Sequence, residues 1–258
     1  MSGPIGLHGG GEYLAGDEPF LDALLTAAAR SARRGVGRTA AADDQSGMSP
    51  IRVVVVPTAA GRGRPDQAAA NGVDAFERRA AALGLSVEVQ VARVVDGPSA
   101  TESVFVEQIR SANLIHLPGG DPDLIPRILA GSAVLDAIRE AWRAGAVLAG
   151  ASAGAMALAE WTWTPQGGLH GLGFVPGLAV VPHYDEIRRT TWQPAIERLA
   201  PGGIGYLGLD ERTGILAEPN GTGERRWLVA GPGAAWWFAR GVSEPLVARS
   251  GETLRIPG

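Results

Sequence analysis

The stretch AVLAGASAGAMALA, residues 146–159, decides the fold. It opens with an apolar run too short and too unbroken for a solvent-facing strand. It then turns through Gly150-Ala151-Ser152-Ala153-Gly154 and continues in small apolar residues that suit a close-packed helix. A buried strand over 147–150, a tight glycine turn and a helix over 153–160 make one unit of a parallel sheet. The same rhythm recurs on either side. Residues 5–8 end as a strand in Gly9-Gly10-Gly11, and 18–33 read as a helix with Phe20, Leu21, Leu24, Leu25 and Ala28 on one face. IRVVVVP at 51–57, 86–91 and 113–117 read as further strands, and 66–83, 102–111, 121–130 and 133–144 as helices. Strands alternating with helices predict an α/β fold, a mostly parallel doubly wound sheet with helices on both faces. The last third changes character. Short strands at 206–209, 213–217, 226–229, 234–239 and 253–256, separated by glycine turns, predict extra antiparallel strands at the edge of that sheet near the C-terminus. Residues 1–258 are expected to form a single domain, with 31–50, rich in Arg, Ala, Asp, Gly and Ser without periodicity, as a flexible surface loop.

Composition narrows the function classes. A formal net charge of -4 and a pI near 5.6, with no basic stripe, argue against a nucleic-acid partner. The chain has no cysteine, which removes disulfides, thiolate metal sites and a cysteine nucleophile together. That fits a reducing cytoplasm. The start, Met1-Ser2-Gly3-Pro4, has no basic region followed by an apolar run. The longest apolar candidate, 141–159, is broken by Arg143 and Ser152, so no membrane span is expected. A cytoplasmic location follows as the expectation.

Gly150 to Gly154 matches G-x-S-x-G, and the strand and helix around it supply the setting that a nucleophile elbow needs. Glycines on both sides let neighbouring backbone pass, and the Ala153 N–H would stand at a helix start able to stabilise an oxyanion. The plainer reading is that Ser152 is an N-cap. A nucleophilic serine needs an imidazole base oriented by a carboxylate. Four histidines are candidates: His8 and His116 at strand ends, His170 in a glycine-rich loop, and His183 after Pro182. Asp210 and Glu211, after a short apolar strand, are acid candidates, with a solvated turn as their plainer reading. The order Ser, acid, His of the α/β-hydrolases is disfavoured, because Glu160 is the sole acid between Ser152 and His183.

Four segments together resemble a known family. LPGGDPDL at 117–124, GASAGA at 150–155, PHYD at 182–185 and GLDE at 208–211 stand in the order seen in the S51 serine peptidases, the aspartyl dipeptidases and cyanophycinases. That resemblance, over roughly residues 51–217, implies a class I glutamine amidotransferase-like fold. It implies Ser152 as nucleophile, His183 as base and Glu211, in preference to Asp210, as the acid. It also implies the Gly120 and Ala153 N–H groups as the oxyanion hole. No metal or organic cofactor is implied, and the substrate is a dipeptide or other short peptide cut through an acyl-enzyme.

The chain departs from the family pattern in two places. Asp121 stands where the family usually has Asn or a similar residue, and it either weakens the oxyanion hole or binds a substrate amine. Arg188 and Arg189 lie nearer to the histidine than the family's specificity arginine. They either hold a substrate carboxylate or are solvated helix residues. Rival readings are a non-peptidase, esterase-like serine hydrolase and an inactive binding protein of the same fold; a glutamine amidotransferase is excluded for want of a cysteine. Trp161 and Trp163 are placed to wall a pocket or to fill core, and Trp236-Trp237 suit core packing or a homodimer contact.

Overall fold

The computed structural model describes residues 2–36, 49–164, 167–184, 194, 198–219, 225–242 and 244–256. Its centre is an eight-stranded sheet. Strands β1 (Ile5–His8), β2 (Ile51–Val55), β3 (Val87–Val91), β4 (Leu114–Leu117) and β5 (Val147–Ala151) run parallel, with neighbours in the order β1-β5-β4-β2-β3. Along β2, Val53 and Val55 face one layer of core while Val54 faces the other, and in β4 and β5 Leu114 and Val147 oppose Ile115 and Leu148 in the same way. Side chains alternate across a strand, so a strand buried on both faces must be apolar at every position.

Helices α1 (Glu18–Val36) and α2 (Pro65–Ala82) cover one face, where Phe20, Leu24, Leu25 and Phe76 are buried. The other face carries α3 (Ser103–Arg110), α4 (Leu124–Leu129), α5 (Ala133–Ala144) and α6 (Ala153–Leu158). The Ser132 hydroxyl caps α5 by accepting from the Leu135 N–H at 3.1 Å, and Gly145 ends it in a left-handed turn at φ 114°. The mostly parallel α/β sheet read from the sequence is the observed architecture.

The C-terminal strands divide between two sheets. Strands β10 (Gly214–Ala217), β11 (Arg225–Ala230) and β14 (Thr253–Ile256) extend the main sheet antiparallel beyond β1. Strands β8 (Leu178–Val181), β9 (Gly205–Leu209), β12 (Ala234–Phe238) and β13 (Leu246–Arg249) form a separate four-stranded sheet in the order β13-β12-β9-β8. The expectation that all late strands join one edge is corrected here. Leu178, Val180, Leu207, Leu209, Ala235 and Trp237 face the large core, while Ala179, Val181, Tyr206 and Phe238 face a smaller cluster around Trp161 and Tyr184. Both faces are covered, so these strands need a layer of their own. A hairpin of β6 (Trp161–Thr164) and β7 (Gly167–His170) adds the other side of that cluster.

Two boundaries also move. Helix α1 continues through 31–36, residues assigned to a loop by composition, and 37–48 lie outside the described residues. The helix expected from 121 begins at Leu124; ahead of it the Asp121 N–H is held by the Ala59 carbonyl at 2.7 Å and the Asp121 side chain accepts from the Asp123 N–H at 3.0 Å. Among the described residues no helix is long and apolar enough to cross a membrane.

At the end of β4, His116 is wholly enclosed by Phe76 and Tyr13, and its Nδ1 lies 2.8 Å from the Tyr13 hydroxyl. Burial, with His8 nearby as the lesser cause, pushes its pKa down to about 3. Below the unfolded-chain value near 6.5 the unfolded state takes up a proton that the folded state refuses. This group therefore leaves stability untouched above about pH 6.5 and withdraws up to about 1.4 kcal/mol per pH unit from there down towards pH 3. Urea melts of His116→Gln and the native chain across that range are expected to show a shallower acid slope in the variant. Parallel slopes would remove His116 as the cause.

Candidate functional site

Strand register brings the sequence-distant candidates to one place. Leu7 and Leu117 both pair with Gly150, so the segments leaving β1, β4 and β5 emerge side by side at the carboxyl ends of the parallel strands. Gly214 pairs with His8, which brings 211–213 to the same edge. In the second sheet Val181 is level with Gly208 in a parallel pair, so the loops after β8 and β9 also leave together. Crevices at the carboxyl ends of such sheets are where α/β folds build sites.

The turn after β5 can be made only with its glycines. A Cβ on Gly150 would run into the Gly154 backbone, and one on Gly154 into the Leu117 carbonyl. Ser152 sits between them at φ 48°, ψ -113°, a conformation that L-residues rarely hold. It occupies the position before α6, yet its side chain makes no capping hydrogen bond. Its Oγ instead lies 3.0 Å from His183 Nε2. On the far side of the ring, His183 Nδ1 is 2.8 Å from Glu211 Oε1. With Nδ1–H donating to the carboxylate, Nε2 presents a lone pair to the serine O–H. The His183 side chain is 27% exposed and that of Glu211 51%, so the line runs from a half-buried hydroxyl out to a solvated carboxylate.

The neighbouring acids are occupied elsewhere. Asp210 accepts from the Ala234 N–H at 2.9 Å and from Trp236 Nε1 at 3.1 Å, tying β9 to β12. Glu160 accepts from the Gly177 N–H at 2.7 Å. Asp121 Oδ2 pairs with Arg62 Nη1 at 2.6 Å while its Oδ1 accepts from the Asp123 N–H at 3.0 Å. Gly119 passes so close to Ser152 that a Cβ there would stand 3.1 Å from the serine Cβ. Gly120, at φ 150°, has no room for a side chain against the Ala59 carbonyl. Ala153, next to Ser152, opens α6, so its N–H has no acceptor within the helix. Arg188 and Arg189 lie outside the described residues. A cleft of about 490 Å3 adjoins Gly120 and Asp121, with Arg62, Arg64, Gln67 and Asn71 on its walls. Trp161 is 4% exposed and packs with Tyr184 in the smaller core. Among the described residues no group of three or more His, Asp or Glu side chains stands together as a metal site.

Sequence reasoning read Gly9-Gly10-Gly11 as a tight turn and passed over what that turn holds. The His8, Gly9 and Gly10 carbonyls accept from the N–H groups of Ser152, His183 and Arg212 at 2.9, 2.6 and 2.7 Å. Beneath the turn His8 and Asp17 are buried, His8 Nε2 stands 2.8 Å from Asp17 Oδ1, and His8 Nδ1 accepts from the Gly10 N–H at 3.2 Å. Glu12, on the same loop, accepts from the Gly119 N–H at 2.7 Å and reaches the serine side of the site. The signal available in the sequence was an acid directly after a strand-end glycine run.

Comparison with known proteins gives a consistent picture. The family model described as Peptidase family S51 matches residues 35–221. The crystal structure of a peptidase from an acI-B1 Actinobacterium is similar at 26% identity and a TM-score of 0.75, over 99% of this chain and 98% of that one. The crystal structure of a putative peptidase E from Listeria monocytogenes EGD-e shares the fold at 17% identity and a TM-score of 0.51, over 96% of this chain and 99% of that one. No curated protein matches the chain.

Gly10 gives a direct test of the geometry. It lies at φ 104°, and a Cβ there would collide with the His183 ring. Gly10→Ala is expected to slow labelling of Ser152 by a fluorophosphonate by about 100-fold, the scale of a displacement of about 1 Å in a reacting group. The left-handed backbone adds a stability loss of about 1–2 kcal/mol in urea melts. Unchanged labelling would show that the ring position does not govern the reactivity of the serine.

Proposed function

The chain belongs to peptidase family S51, and from that premise we propose that it is a serine peptidase acting on dipeptides or short peptides through an acyl-enzyme on Ser152. The observation that carries this reading is the unbroken line Ser152 Oγ, His183 Nε2, His183 Nδ1, Glu211 Oε1, with steps of 3.0 and 2.8 Å. A serine hydroxyl is a weak nucleophile until a base takes its proton, and an imidazole held in one tautomer by a carboxylate is such a base.

In the proposed reaction the Ser152 proton passes to His183 Nε2 as Oγ bonds to the scissile carbonyl carbon. The carbonyl oxygen becomes an oxyanion facing the Gly120 and Ala153 N–H groups, fixed donors that need no reorganisation as charge develops. His183 then gives its Nε2 proton to the departing amine nitrogen, the C–N bond breaks, and an ester on Ser152 remains. Water, deprotonated by the same imidazole, attacks that ester and releases the carboxylic acid. The Glu211 side chain, bonded to His183 Nδ1, stabilises the imidazolium in both halves. Every step is a proton transfer or an acyl transfer among these groups.

The cleft beside Gly120 supports a small, charged substrate. Asp121 and Arg62 neutralise each other there, which leaves Arg64 as the exposed cation on the wall. Its guanidinium suits the carboxylate of a short peptide.

Ser152→Ala is expected to lower kcat/KM on a dipeptide and short-peptide panel by several orders of magnitude and to abolish fluorophosphonate labelling. Glu211→Gln should lose less, because the imidazole stays in place while its tautomer is no longer held by charge. Undiminished turnover by Ser152→Ala would refute the assignment. Cleavage of esters without any cleavage of peptides would shift it to an esterase.

A further inference from the structure

We propose that the buried His8–Asp17 pair is a positioning device for the His183 imidazole: Asp17 keeps the His8 ring proton on Nε2, and the bare Nδ1 then fixes Gly10 beneath the His183 ring. This rests on Ser152 and His183 being the reacting pair. His8 closes β1 and Asp17 stands just before α1, and both side chains are only 1% exposed.

The tautomer of His8 follows from its neighbours. Nδ1 accepts from the Gly10 N–H at 3.2 Å, and an acceptor nitrogen carries no proton. The ring proton is then on Nε2, which stands 2.8 Å from Asp17 Oδ1. These two atoms meet off the line of a well-aligned hydrogen bond, and neither has another hydrogen-bond partner. The contact is electrostatic, with the proton set between lone pairs that would otherwise repel. Asp17 Oδ2 accepts from the Tyr13 N–H at 2.8 Å, which holds the carboxyl group in place. The arrangement is the reacting pair in reverse. There Glu211 faces Nδ1 of His183 and leaves Nε2 to accept; here Asp17 faces Nε2 of His8 and leaves Nδ1.

Gly10 passes the constraint on to the site. It is buried, and its φ of 104° is one that only surrounding bonds keep in a fixed place. Its N–H is held by His8, and its carbonyl accepts at 2.7 Å from the N–H of Arg212, the neighbour of Glu211. A Cβ between those two groups would stand 2.7 Å from His183 Nε2 and 2.8 Å from Nδ1, so the bare Cα is the floor on which that ring rests. A buried N–H deprived of its acceptor turns towards another and carries the Cα with it. An apolar pair could fill the space of His8 and Asp17 without desolvating a carboxyl group, but it would offer that N–H nothing.

Three variants and one spectrum separate this role from plain packing. His8→Gln keeps a donor that reaches Asp17 and loses the acceptor for Gly10. Asp17→Asn keeps an acceptor for the Tyr13 N–H and turns its amide NH2 towards His8 Nε2. That nitrogen must then accept, and the ring proton moves to Nδ1, against the Gly10 N–H. Both changes should slow fluorophosphonate labelling of Ser152 by about 10–100-fold, the scale of displacing a reacting group by up to about 1 Å. His8→Asn puts its amide oxygen where Nδ1 stands and gives up Asp17. It should label about tenfold faster than His8→Gln, while its unpartnered Asp17 makes it the less stable of the two in urea. A packing role would order labelling by stability. Labelling that follows the urea midpoints, or that is unchanged in His8→Gln and Asp17→Asn, overturns the inference. Nitrogen NMR spectra of the native chain should show the His8 proton on Nε2. A proton on Nδ1 overturns the inference even where a variant does not fold. A native chain that fluorophosphonate fails to label at Ser152 would instead sink the reading of the site on which the inference stands.

Discussion

The site depends on three backbone hydrogen bonds converging on one turn. His8, Gly9 and Gly10 leave β1 and offer their carbonyls, in sequence, to the N–H groups of Ser152, His183 and Arg212. Those donors come from the elbow after β5, the loop after β8 and the loop after β9. Each bond acts on main chain, so it sets the position from which the side chain departs rather than the side chain itself. The proton-transfer line that follows is the consequence. The residues that take positive φ without being glycine are Tyr13, Ser152, His183 and Arg212 among those described, and all four lie on or against this turn. Each left-handed residue costs on the order of 1–2 kcal/mol. Such conformations persist where surrounding bonds over-determine them, and the turn supplies those bonds.

The pair beneath the turn extends the same logic downwards. His8 is stacked on Phe20 at 5.0 Å and is wholly buried, and Asp17 beside it also accepts from the Tyr13 N–H at 2.8 Å. Tyr13 reaches across to His116 at the end of β4. Thus the loop over 9–17 is fastened to both β1 and β4 before it presents Glu12 to the site. Two histidines that the sequence offered as bases turn out to anchor the platform on which a third stands. Their burial explains the difference: an imidazole with no route to solvent cannot exchange protons with a substrate in a cleft.

Much of the parallel half of the fold was legible because its strands are buried on both faces and its helices are not. IRVVVV at 51–56 and the five-residue face of α1 leave little choice of period. The elbow was legible too, since G-x-S-x-G between an apolar strand and a small-residue helix has few other uses. The second sheet was not. Its strands are as apolar as those of the main sheet, and nothing local in Tyr206–Leu209 or Ala234–Phe238 says which of two layers they join. The β6–β7 hairpin was hidden by glycine: Gly168 lies where a Cβ would press into the Trp161 indole, so a strand-weakening residue marks a tight packing contact. Within the site, Asp210 and Glu211 could not be separated by spacing alone. Asp210 accepts from the Ala234 N–H and Trp236 Nε1 of β12, while Glu211 meets the His183 ring.

Charge explains how the acids near the serine come to differ in use. Around the nucleophile stand Glu211, Glu12 and Asp121. Two facing charges of the same sign would disfavour an oxyanion, so each must be compensated or kept out of line. Asp121 is compensated by Arg62 at 2.6 Å. Glu211 is half exposed, and the imidazole stands between it and the serine, where its charge favours the imidazolium rather than opposing the oxyanion. Glu12 is half-buried and holds the Gly119 N–H through one oxygen. Each acid near the serine is thus set apart by what holds it: an arginine for Asp121, an imidazole for Glu211 and a main-chain N–H for Glu12.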